Sequence, residues 1–300
     1  MTAARLSRPA AAASRTGAVG RVDRSTIARR LWRHGGGRLG ILLLLLVIVA
    51  IGIGPLLLGD PNATDYGDKL AAPSWEHPLG TDLAGRDMLA RTLVGGRLSL
   101  GIAGLVSLTT LLTGLVLGLV AGLAGGWVDK VLSRVFDVLL GLPTLVVALA
   151  VVGALGPGLV NLVLALTVIG WAFLARLARN EVLGARHRPD VVAARMAGVP
   201  AYRIAWSHVV PNVVLVLLVA VTAAFTEVVL ALAGLSFLGL GAQPPTAEWG
   251  RMLAETRSSL TIAPWLVLGP GVGLCLSIAG MLLLSDALRD VADPTRHRRQ

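Results

Sequence analysis

Lysine, cysteine and acidic side chains are all scarce in this 300-residue chain, and each shortage removes a class of function. Lysine occurs only as Lys69 and Lys130 among 27 basic residues. Lys69 follows Asp68 and Lys130 follows Asp129, so neither sits in the Gly-Lys-Ser/Thr core with which a P-loop holds nucleotide phosphates. The one cysteine, Cys275, allows no disulfide framework and no thiolate cluster, and reads as a small buried hydrophobe. The five histidines, at 34, 77, 187, 208 and 297, are scattered over tails and loops and gather no acid–base or metal cluster at one depth. Only 15% of the residues are charged. That is too few for the surface of a water-soluble globule of this size.

What fills the space is hydrocarbon. Hydrophobic residues make up 55% of the chain and the mean hydropathy is +0.75. Six apolar runs, near 39–59, 98–124, 135–155, 159–178, 209–234 and 265–285, are long enough to cross about 30 Å of bilayer as α-helices. They lack the alternation of barrel strands, so the expected fold is an all-α membrane bundle of six spans. The apolar stretch from Ile41 starts too late and runs too long for a cleavable signal peptide.

The net charge of +10 is unevenly spread. Residues 1–38 carry nine arginines against Asp23 alone, 176–208 carries six arginines, and Arg289, Arg296, Arg298 and Arg299 close the chain. Loop 60–97 instead holds six acids against four basic residues. The positive-inside rule then puts both termini and the 181–208 segment in the cytoplasm. Residues 1–38 form a basic tail attracted to anionic headgroups, 39–288 the membrane domain, and 289–300 a cytoplasmic tail. Without interleaved aromatics, the tail does not read as a nucleic-acid binder.

Within the spans, Gly114, Gly118, Gly122 and Gly126 recur every four residues and line one helix face, which predicts a close crossing with another helix of this chain or of a partner. Arg134 and Asp137, three apart, are spaced to pair, and Pro143 predicts a kink that either lines a path or is filled by neighbours. Leu155-Gly-Pro-Gly158 makes the third and fourth spans antiparallel neighbours. Glu227 is the one carboxylate well inside a span, and its cost there points either to a wet pathway or to a structural hydrogen bond.

Residues 190–211 interrupt two long apolar segments. Asp190 reads as an N-cap, Val191–Ala197 as two helical turns, Gly198 as the stop and Pro200 as the first turn of a second short helix leading to Pro211. Ala193, Ala194 and Gly198 present almost no bulk, while Arg195 and Arg203 offer charge to the rim of a partner groove. On the opposite side, 75–97 reads as amphipathic, with Asp82 and Arg86 in i,i+4 spacing.

At Ala193, Ala194, Gly198 and Pro211 the chain resembles the permease subunits of ATP-binding-cassette importers, whose cytoplasmic loop reads Glu-Ala-Ala, three residues, Gly, nine residues, Ile-any-Leu-Pro. Val192, His208 and Val210 replace its Glu, Ile and Leu. His77-Pro-Leu-Gly-Thr-Asp-Leu-Ala-Gly-Arg-Asp87 with Gly96–Leu100, Gly234–Pro245 with Trp249-Gly250, and Asp286–Asp290 with Asp293-Pro294 narrow the resemblance to the dipeptide, oligopeptide and nickel branch, over 39–297.

The resemblance implies the type I importer fold, no cofactor in this chain, and ATP and Mg²⁺ on separate ATPase subunits or domains. It also implies a homologous second permease, an extracytoplasmic substrate-binding protein and a peptide substrate, with nickel import by the same family as the alternative. It makes 181–208 an ATPase-coupling loop, with Asp82, Arg86, Asp87, Gln243 and Trp249 as candidate outer-face contacts. An ion-coupled secondary transporter is the rival, for which the single Glu227 is thin support.

Overall fold

The computed structural model of the chain describes Leu31, Trp32 and residues 34–292. Most of the predicted basic tail and the C-terminal tail beyond Ala292 lie outside them. Among the described residues the chain is helical, with no strand beyond an isolated bridge between Thr81 and Asp87.

Among the described residues ten α-helices have defined bounds, in order: α1 Gly35–Leu57, α2 Met88–Ala124, α3 Gly126–Gly141, α4 Thr144–Leu155, α5 Leu159–Ala185, α6 Pro189–Met196, α7 Ala201–Ile204, α8 Val210–Phe237, α9 Trp249–Thr256 and α10 Leu268–Ala292. Five of the helical stretches are long and apolar enough to cross a membrane, and α3 with α4 makes a sixth if a bent pair is one span.

The bent pair corrects the expected single kinked span at 135–155. α3 and α4 meet at 92°. Leu142 and Pro143 both leave the helix for extended backbone, because the proline ring disfavours helical dihedrals at the residue before it. The 12 residues of α4 reach about 18 Å, short of a full crossing. Nor does Arg134 pair with Asp137: Arg176 of α5 takes Asp137, and Arg179 grips Asp129 with two nitrogens.

The bundle is organised around α2 and α5, which share its longest interface. α1 crosses α10 with glycine against glycine: a Cβ on Gly40 would lie 2.8 Å from the Gly280 carbonyl oxygen. Near its end α1 contains Pro55, which has no N–H for the Ile51 carbonyl. Arg97 of α2 supplies the missing donor, with Nε 2.5 Å from Ile51 O and Nη2 2.5 Å from Gly52 O.

Apolar packing gathers in zones. One joins α2, α4, α5 and α8 around Leu162, Leu166 and Leu235; a second joins α5, α6 and α8 around Leu174, Val191 and Leu217; a third surrounds Trp249 between α1, α2, α9 and α10. Much of the remaining leucine and valine faces outward, including Leu42, Leu46, Val116 and Leu230. Hydrocarbon or a second subunit is the natural solvent for that surface. Cys275 of α10 is exposed too, which corrects its expected burial.

Candidate functional site

The 188–211 segment sits at the end of the bundle where α2 and α5 finish. Arg188, not Asp190, is the N-cap of α6, and Pro189 takes the first helical position. Asp190 lies within the first turn, where a negative charge suits the helix dipole, and its carboxylate accepts two hydrogen bonds from Arg188, at 3.1 and 2.9 Å. Burial raises the Asp190 carboxyl, but the Arg188 hydrogen bond and charge, with the N–H groups of Asp190 and Val191, outweigh it and hold it below the ordinary carboxylate range.

The far end of α6 closes with a Schellman motif: Val199 N–H donates to Ala194 O and Gly198 N–H to Arg195 O. Gly198 stands at φ +75°, where a side chain would be strained. Val191 is buried against Val182 and Val209, and Ala194 and Val199 pack beside it. Ala193, Met196 and Ala197 face away from the bundle, exposed. The short helix is therefore fixed at both ends, glued along one face and bare along the other.

The expected second short helix is instead the leading edge of the fifth span. Pro200 is the N-cap of α7 rather than a residue of its first turn, and α7 passes through a π turn, Ala205–Val209, into α8 without a break. Val210 N–H reaches back five residues to Ala205 O. Pro211, in the first turn of α8, has no N–H for Ser207 O and its ring crowds that carbonyl, so a widened turn relieves the clash. Arg203 remains exposed.

Gly114, Gly118 and Gly122 lie against α5. A Cβ would come within 2.7 Å of Leu174 Cβ at the first, 2.5 Å of Ala175 O at the second and 2.6 Å of Val182 Cβ at the third. Their partner helix thus belongs to this chain. Gly126 drops out, because α2 ends at Ala124 with Gly125 as its C-cap, and Gly126 opens α3 with open space around its Cβ position.

At the opposite end of α2, residues 75–87 are turns, not an amphipathic helix. Asp82 and Arg86 pair at 2.7 Å, but in a loop in which Asp82 Oδ1 also accepts the Ala84 and Arg86 N–H groups. Asp87 caps α2 by accepting from Ala90 N–H and takes His77 Nδ1 at 2.7 Å. Gln243 is exposed, its amide turned back on Gly239 O and Gly241 O.

Trp249 is not an outer-face contact. It is 1% exposed, wedged against Gly96 and Gly273, with Nε1 donating to Thr92 O at 2.8 Å.

The family model for binding-protein-dependent transport system inner membrane components matches residues 114–298, the stretch that contains α6. The chain belongs to that family. This permease is 38% identical over 249 residues to a dipeptide transport system permease protein of Alkalihalophilus pseudofirmus, covering 83% of this chain and 82% of the relative. It is 40% identical over 273 residues to a di/tripeptide transport system permease protein of Pseudomonas aeruginosa, covering 87% and 89%. It is 39% identical over 254 residues to a nickel transport system permease protein of Escherichia coli K12, covering 85% and 92%.

Residues that pattern reading passed over hold this permease's end opposite α6 together. Glu248 is fully buried and caps α9, accepting from Ser99 Oγ at 2.9 Å, Gly250 N at 3.0 Å and Arg251 N at 2.9 Å. Arg91, also fully buried, reaches Glu255 at 2.9 Å and Asp82 at 3.4 Å, so the loop pair extends into a four-residue charge network with Arg86. The sequence signal was present: a charge three residues inside a helix that otherwise reads as apolar needs a partner.

Glu227 lies along α8, exposed, with no hydrogen bond or ion pair among the described residues. Pro143 sits at the α3–α4 corner.

Proposed function

We propose that this permease forms half of a pathway importing short peptides across the cytoplasmic membrane, driven by ATP hydrolysis on separate ATPase subunits that bind the nucleotide and Mg²⁺. Its termini and α6 face the cytoplasm; its other half is a homologous permease, and an extracytoplasmic binding protein delivers substrate to the Asp82–Asp87 and Gln243 end. The observation that carries this reading is α6, a helix capped at both ends, docked by Val191 and bare at Ala193 and Ala197. Closure of the ATPases pushes α6, and through the continuous α7–α8 rod the bundle rocks between inward-open and outward-open states.

Glu227 faces the pathway in this reading, since an unpaired carboxylate in a span belongs beside water or a cationic substrate.

Cysteine placed at Ala193 should crosslink to an ATPase subunit in membranes, whereas cysteine at Val191 should not; equal crosslinking at both, or at neither, sinks the docking surface. Peptide uptake should be blocked by vanadate and indifferent to collapse of the proton gradient, the reverse of what an ion-coupled carrier shows. Glu227→Gln should slow uptake of a dipeptide at unchanged complex yield.

Nickel import is the second reading, favoured by the nickel permease relative being as similar as the peptide permeases. Uptake of radiolabelled Ni²⁺ exceeding that of a dipeptide decides for it.

A further inference from the structure

Between α6, the ends of α2 and α5, and α7 with its π turn lies a cavity of about 380 Å³. Its lining is of two kinds. Leu123, Val182, Val191 and Ile204 are apolar, and Arg186 and Arg195 are the charged residues among them. No carboxylate lines it. Of the acidic groups nearby, Asp190 pairs with Arg188, and Asp129 pairs with Arg179 while also feeling the charge of Arg186. Arg186 is held in place by donating from Nη2 to Gly122 O at 2.7 Å, which leaves its other N–H groups without a recorded partner. The Arg195 guanidinium has no ion-pair or hydrogen-bond partner among the described residues.

The depth of the cavity is marked independently. Leu123 is in the last turn of a candidate span, Val182 near the end of another and Ile204 near the start of a third. Three large aromatics beside these positions, Trp127, Tyr202 and Trp206, are 76%, 65% and 71% exposed. Amphipathic rings left bare where spans end are the marker of the headgroup layer. A molecule that fits must carry a negative charge for two guanidiniums, an apolar portion for the apolar lining and a position at the headgroup level.

We propose that this cavity binds the phosphate of an anionic phospholipid, with Arg186 and Arg195 as its ligands and an acyl chain laid along Leu123 and Val182. Guanidinium suits phosphate because its planar fork offers paired donors to two oxygens. The bound lipid bridges α6 to α2 and α5, so membrane charge sets how firmly α6 is seated. The binding itself rests on the span assignment and on no property of an ATPase.

The assembled transporter, reconstituted in phosphatidylcholine nanodiscs with and without phosphatidylglycerol and then released into mild detergent, is read by native mass spectrometry for retained lipid. The native protein should keep phosphatidylglycerol in preference to phosphatidylcholine. Arg195→Gln should lower that retention about tenfold, the cost expected for one charge-assisted contact, and the double variant with Arg186→Gln should abolish the preference. Because Arg186 also holds Gly122 O, the single Arg195 variant keeps the test independent of folding. Arg203→Gln, a basic residue of the same segment outside the cavity lining, should retain phosphatidylglycerol as the native protein does.

Equal retention of both lipids, loss with Arg203→Gln as large as with Arg195→Gln, or displacement of phosphatidylglycerol by millimolar inorganic phosphate overturns the proposal. So does unchanged lipid retention in Arg195→Gln with loss of the co-purifying ATPase, since the cavity then belongs to a protein contact.

Discussion

The two ends of α2 are built on opposite principles. At its start, Trp249, Glu248 and Arg91 are buried, and with the half-buried Glu255 they are joined by hydrogen bonds that cross from α2 to α9. At its finish, α6 touches the bundle through a few apolar side chains and keeps a bare outer face. Buried polar groups that find partners on another helix favour one arrangement over its neighbours. A helix held by Val191, Ala194 and Val199 can be displaced as a unit without stranding a buried donor. The first end is a block that holds its shape, and the second is a part that another protein can move.

The sharpest way to break the contrast is to attack the block. Trp249→Ala should cost about 3–5 kcal/mol, the usual penalty for emptying a large aromatic site, and should appear as a lowered unfolding temperature and poor assembly of the purified complex. A stable, assembled variant would show that the block is not one. At the other end the effect should be smaller and local. Gly198→Ala forces a side chain into left-handed backbone, worth about 1–2 kcal/mol. It should leave global unfolding nearly unchanged while reducing substrate-stimulated ATPase activity of the complex. A matching fall in both measurements would merge the two ends.

The smallest effect concerns Asp190. Its carboxyl is depressed by folding, so the brace it makes with Arg188 is present above the unfolded carboxylate value and is lost as pH falls through the lower, folded one. Amide exchange in α6 should therefore quicken only in that acid range, and Asp190→Asn should remove the dependence. Exchange that stays flat through acid would discard the brace.

Sequence alone disclosed what depends on composition along the chain: the apolar runs, the glycine face of α2, the short helix of small residues and its Gly198 stop. It failed where a residue's role depends on what arrives from far away. Trp249 reads as an outer-face contact from the resemblance, yet it is buried where Gly96 and Gly273 make room for it. Asp137 reads as the partner of Arg134 by spacing, yet Arg176 arrives from α5. Glu248 looks like one more loop acid until Ser99 comes within hydrogen-bond reach. Pro143 was visible as a disturbance, but its size was not, because nothing local distinguishes a kink from a right angle.

That right angle has a cost for a solitary chain. A helix end exposes carbonyl and amide groups that want a donor or acceptor, and oily lipid tails provide none. The corner at Leu142 and Pro143, flanked by the exposed side chains of Leu145 and Val146, is thus ill suited to bare bilayer. It calls for a wall of protein or a wet channel beside it. An orphaned copy would carry this raw edge into the membrane, which makes the elbow a built-in reason for the protein to be found only in company.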